Sequence, residues 1–187
     1  MRVRHILISA FLIALIPSFV GAQSPIGYIG LYSNDMHDSW CVTGVGFYQA
    51  TMWVWCIPGM NGMVCAEFNI SYPANVIRGA LNYNPLIPPL IVPNPNGHSL
   101  CLIECYWDWI WMFNETIFVT TPDRTLIEII PHGDVGVYQF ANCEDGFPVE
   151  PCIKLTNLYI NYESGETECS ATGVESSSWG AIKSLFR

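Results

Sequence analysis

Apolar side chains recur at every second position in short stretches fenced by Gly, Pro and Asn, from Ile26 to Tyr162. Successive strand residues point to opposite faces, so this period belongs to strands with one face buried. It predicts strands at Ile26–Tyr32, Gly46–Cys56, Met63–Tyr72, Val76–Tyr83, Leu100–Trp111, Glu115–Thr120, Arg124–Ile130, Val135–Phe140 and Leu155–Tyr162. Pro58–Gly62 and His132–Gly133–Asp134 supply tight-turn chemistry between neighbours, which favours antiparallel pairing. An all-β domain follows, expected as an antiparallel β-sandwich of immunoglobulin-like or similar type. Between Asn84 and Gly97, Pro85, Pro88, Pro89, Pro93 and Pro95 remove backbone donors, so this stretch is expected to be a stiff crossover from one sheet to the other.

The ends of the chain suggest an address. Arg2, Arg4 and His5 precede an apolar run, Ile6 to Val20, and small residues end it at Ala22. This is the three-part pattern of an export signal, and the run is too short for the ~20 residues of a spanning helix. The expected layout is a signal peptide at 1–22, a sandwich domain at 23–169, a Ser/Thr-rich linker at 170–178 and a short tail at 179–187. The expected location is secreted or extracytoplasmic, meaning periplasm or cell surface in a Gram-negative cell, with no transmembrane anchor after signal cleavage. Without Arg2 and Arg4, five of the seven Lys and Arg residues remain against sixteen Asp and Glu. That balance repels phosphate backbones, and nucleic acid is not an expected partner.

The eight cysteines, Cys41, Cys56, Cys65, Cys101, Cys105, Cys143, Cys152 and Cys169, all follow the signal. An even number behind an export signal reads as a disulfide framework, and a Cys143–Cys169 bridge is one expected pairing. Cys101 and Cys105 with nearby His98 lack the matching second pair of a zinc site, so neither metal nor cofactor is expected.

Trp107, Trp109, Trp111 and Phe113 alternate, and on one strand they would form an aromatic stripe. Burial in the core, against Trp53 and Trp55, is the default for such residues. The functional alternative is a sugar-stacking platform with Glu104, Asp108 or Glu115 accepting hydroxyl hydrogen bonds. For catalysis the chain offers His37, His98, His132 and scattered carboxylates without a Gly-x-Ser-x-Gly or His-Glu-x-x-His motif. A non-catalytic module is therefore expected, binding or structural at the cell envelope, with an unknown protein or glycan at or outside the cell surface as partner. A carbohydrate-binding module and a secreted hydrolase are its alternatives. In the tail, Trp179, Ile182, Leu185 and Phe186 would share a helical face, with Lys183 and Arg187 at the basic end. That segment is expected to be a docked last turn or a sorting signal.

Ile29–Gly30–Leu31–Tyr32–Ser33 followed by Cys41, Glu67–Phe68, Thr125–Ile130 leading to Cys143, and Leu158–Asn161 leading to Cys169 resemble a group of uncharacterised exported β-rich bacterial proteins. The ending Trp-Gly-x-Ile-Lys-x-Leu-aromatic-Arg is similar to one found on such proteins after a Ser/Thr-rich spacer. The resemblance implies export and a β-rich domain, and no activity.

Overall fold

The computed structural model describes residues 26–43, 48–88, 94–163, 166, 168 and 169. The signal peptide, the linker and the tail lie outside the described residues. Among the described residues eleven strands form: β1 (Gly27–Tyr32), β2 (Cys41–Val42), β3 (Tyr48–Ile57), β4 (Met63–Ser71), β5 (Val76–Tyr83), β6 (His98–Tyr106), β7 (Ile110–Val119), β8 (Thr125–Ile130), β9 (Gln139–Ala141), β10 (Val149–Thr156) and β11 (Leu158–Ile160). The alternation of β3 and β8 sends every second residue inward, as with Met52, Val54 and Cys56 on β3 and Ile127 and Ile129 on β8.

One layer runs β5-β7-β3-β1-β10. In the other, β4 pairs with β6, β8 and β9, and β8 continues through β11 to β2. The layers enclose one core, with Leu31, Met52, Phe68, Phe113, Ile117 and Ile127 among its fully buried side chains. The result is the expected all-β sandwich. β10 serves both layers: Val149–Pro151 pairs with β9, and the stretch from Cys152 to Thr156 pairs with β1. The Pro-rich stretch links β5, at one end of the first layer, to β6, which pairs with β4 in the second.

Several elements depart from the expected pattern. Two pairings are parallel, β1 with β10 and β2 with β11, because strands from the start of the domain lie beside strands from its end. The expected strand Leu155–Tyr162 divides at Asn157, whose side-chain Oδ1 accepts the Ile129 amide at 3.1 Å as the chain passes from β10 to β11. The expected strand Leu100–Trp111 breaks at Trp107–Trp109, between β6 and β7.

Three disulfides staple the sandwich: Cys41–Cys169, Cys65–Cys101 and Cys105–Cys143. Cys65 and Cys101 are direct cross-strand neighbours on β4 and β6. Cys143 and Cys169 therefore do not pair with each other. Cys56 and Cys152, expected among the bridged cysteines, are buried free thiols. Cys56 sits opposite Ile29 and Cys152 opposite Gly27, so β1 runs between them. Two strand spacings put their backbones about 10 Å apart, beyond the reach of a disulfide.

Candidate functional site

The outer surface of the first layer is where the aromatic residues gather. On β3, Trp53, Trp55 and Ile57 alternate with the buried core residues and so face away from the core. On β7 a bulge decides the matter. Val54 pairs with Phe113 and Trp55 with Trp111, which leaves Met112 as the extra residue. Met112 and Phe113 are both buried, while Trp111 stays on the outer side and packs edge-to-face on Trp53, 5.4 Å between centroids. The bulge thus splits the alternating stripe, placing Trp111 and Phe113 on opposite faces.

Tyr32, at the end of β1, is buried beneath this outer cluster together with Leu155, and Tyr28, Trp40, Trp53, Trp55, Ile57 and Trp109 pack against them. Gly30 makes room: a Cβ there would fall 2.8 Å from the Tyr32 ring. The loop after β1 folds over the cluster. Its His37, at φ 48°, stacks on Trp109 at 4.0 Å and lies 4.6 Å from Trp55. Burial lowers the His37 pKa, opposed by the nearby Asp38 and Asp108 carboxylates. The buried His37 Nδ1 and Trp55 Nε1 have no hydrogen-bond partner among the described residues. Trp40 Nε1 donates to the Glu168 carbonyl at 3.0 Å, next to the Cys41–Cys169 bridge.

The expected stripe is therefore not one strand, and of its four residues Phe113 alone is core. Trp109 lies in the β6–β7 connection, where Asp108 Oδ1 accepts its amide at 2.7 Å, and Trp111 lies on β7. Trp107, 50 % exposed, lies against Gly62 of the β3–β4 turn. Trp53 and Trp55, expected to face inward, join the outer cluster. Of the proposed acceptors, Asp108 is at the cluster, whereas Glu115 points to the opposite side and is buried. The tail residues Trp179, Ile182, Leu185, Phe186 and Arg187 lie outside the described residues.

A second polar group could be taken for catalytic machinery. His132 Nε2 lies 3.4 Å from Ser99 Oγ, and His132 Nδ1 lies 4.0 Å from Asp134 Oδ2. The hydrogen bonds run the wrong way for a nucleophile. Nδ1 accepts the Asp134 backbone amide at 3.3 Å, and Nε2 lies 3.4 Å from both Ser99 Oγ and Asn94 Nδ2. Ser99 Oγ in turn donates to Glu67 Oε1 at 3.1 Å. In a triad, Nδ1 donates to the carboxylate and Nε2 accepts from the hydroxyl. Asp134 is held by Asn94 at 3.1 Å and Asn96 at 2.6 Å, bonds that lower its pKa. The set is a structural hydrogen-bond chain fastening the β8–β9 loop to β6 and β4.

No family model and no curated protein sequence matches the chain. Among solved structures it is similar to a chain from a type I cohesin–dockerin complex of Clostridium thermocellum. The identity is 8 % and the TM-score 0.51, with 74 % of this chain and 94 % of that one covered. It is also similar to a chain from a complex containing CaCohA2, at 9 % identity and a TM-score of 0.51, covering 73 % and 99 %. At such identities the likeness is one of architecture: the chain folds as a disulfide-containing, cohesin-like β-sandwich.

Proposed function

We propose that this chain is an exported, non-catalytic binding module that holds a ring-bearing ligand, a glycan foremost, on the aromatic outer face formed by β1, β3, β7 and the loop carrying His37. The observation that carries this reading is the placement of Trp53, Trp55, Trp109 and Trp111. They lie only partly buried on the side of the sheet that the core does not need. An outer sheet face is ordinarily polar, and partly exposed indoles beside carboxylates such as Asp38 and Asp108 are the chemistry that stacks on a pyranose and accepts its hydroxyl protons.

Binding of the purified protein to insoluble polysaccharides, followed by titration of the soluble oligosaccharide with intrinsic tryptophan fluorescence, tests the reading. Trp111→Ala and Trp53→Ala are expected to weaken binding about tenfold. Equal binding by these variants, or no change in tryptophan emission on saturation, would remove the glycan reading. The solved chains it resembles come from cohesin–dockerin complexes, so a protein partner on the same face is the second reading. Competition by the oligosaccharide separates the two.

Export rests on the signal-like segment Met1–Ala22 and on three disulfides, which form and persist in oxidising compartments. The segment Trp179–Arg187 is part of the same proposal, as a sorting or docking element. A chain truncated after Ser178 is expected to change its distribution between cells and medium, and an unchanged distribution rejects that role.

A further inference from the structure

On the far side of the first layer, a cleft of about 880 Å³ opens between β4 and β5, extending to the residues that precede β6. Arg78 is among its lining residues. Arg78 pairs with Ile117 and Leu81 with Glu115, so β5 spends three residues where β7 spends two. This bulge keeps two residues of odd spacing on the same inner side. The Arg78 Nε then donates to Glu115 Oε1 at 2.6 Å, and the guanidinium lies over the Tyr72 ring at 4.5 Å. The Tyr72 hydroxyl donates to the other oxygen, Oε2, at 2.5 Å. Glu115 is 1 % exposed. Both of its oxygens are engaged from the protein side.

The guanidinium keeps donors open to the cleft. The terminal Nη groups of Arg78 hydrogen-bond to no described residue, and the side chain is 46 % exposed. Tyr83 and His98 line the same cleft. His98 is neutral at physiological pH, because burial, then Arg78 and His132, push its pKa down to about 4. Its ring packs on Phe68 and Phe113 at 5.2 and 4.9 Å. Ile70, Leu81, Ile87 and Leu100 supply apolar wall. A guanidinium fixed by its Nε, with its Nη edge unpartnered, is the group that receives a carboxylate through two parallel hydrogen bonds. The size is that of an ordinary small-ligand cleft.

We infer that this cleft is a second binding site, separate from the aromatic face, for a small organic carboxylate whose body is an apolar or sugar ring and whose carboxyl group meets the Nη edge of Arg78. Arg78 binds, Glu115 and Tyr72 orient it, and Tyr83 and His98 donate to the same ligand. The carboxylate could be borne by an aromatic acid or by a uronic acid, and the probes distinguish these sources. Phenylacetate and D-galacturonate are titrated calorimetrically into the full mature protein, each beside its uncharged counterpart, phenylacetamide and D-galactose. The Arg78 Nε–H resonance is followed by NMR in parallel.

Saturable binding of at least one carboxylate, with its counterpart at least about tenfold weaker, is the expected result. Arg78→Lys keeps a cation for Glu115 but loses the fork, and is expected to weaken binding by about tenfold while the thermal transition stays cooperative. Tyr83→Phe leaves the Arg78–Glu115–Tyr72 group intact and is expected to weaken binding severalfold. The inference is overturned if neither carboxylate binds saturably up to about 10 mM. It is equally overturned if carboxylate and counterpart bind alike, or if both variants bind as the parent does. Trp111→Ala is expected to leave carboxylate binding unchanged, so failure of the aromatic-face reading and failure of this one are told apart.

Discussion

Glu115 shows how one residue can tie packing to chemistry. It occupies an inward position on β7 that an alternating strand would give to an apolar side chain, and it is tolerated there because Arg78 and Tyr72 satisfy both oxygens. Glu115→Ala leaves the largely buried Tyr72 hydroxyl without its acceptor, while the half-exposed Arg78 is rehydrated. The expected loss is about 2 kcal/mol in urea unfolding, less than for a fully buried pair. His98 adds a pH dependence. Its pKa is about 4 in the folded protein against 6.5 in an exposed histidine, so between those values the unfolded chain binds more protons. Its contribution is complete above pH 6.5 and declines as pH falls toward about 4, and His37, shifted in the same direction, adds to it. His98→Gln is expected to flatten the slope of unfolding free energy against pH in that window. None of this was legible beforehand: Glu115 looked like a surface acceptor because its partner Arg78 lies 37 residues away and meets it only through strand pairing.

At the scale of elements, the two-residue period located β3, β4 and β8 closely, because each buries one face along most of its length. It failed where pairing rather than burial makes the strand. β2 has two residues, and β10 carries Pro151 and a mixed burial pattern. It failed again at Trp107–Trp109, where the chain alternates like a strand although it turns. No Gly or Pro marks that turn, and Asp108, whose side chain accepts the next amide, was the available signal. The bulge at Met112 has no sequence mark, and it is what places Trp111 on the outer face, opposite to Phe113. The β3–β4 turn was legible through Gly62. It has φ 73°, and a Cβ there would fall 2.8 Å from the Trp107 indole. Gly62→Ala is expected to cost about 1–2 kcal/mol by combining backbone strain with displacement of Trp107, read as a lowered thermal midpoint and altered tryptophan emission.

For the whole molecule, the fold class and the presence of disulfides could be read from the sequence, whereas the connectivity could not. Cysteine pairing depends on which strands become neighbours, and β1 keeps Cys56 from Cys152. Burial raises both thiols, Cys152 to about 12 and Cys56 also well above its ordinary value, so neither is reactive in the folded state. Titration with a chromogenic disulfide is expected to find no accessible thiol in the native protein and two after denaturation. More than two would contradict the three bridges. The parallel placement of β1 against β10 also sets a clock on assembly. Gly27 aligns with Cys152, and Cys41 waits for Cys169. The first strand therefore has no complete set of neighbours until almost the entire domain has been synthesised. Long-range pairing of this kind folds slowly, and the growing chain stays open and threadable until its last third arrives.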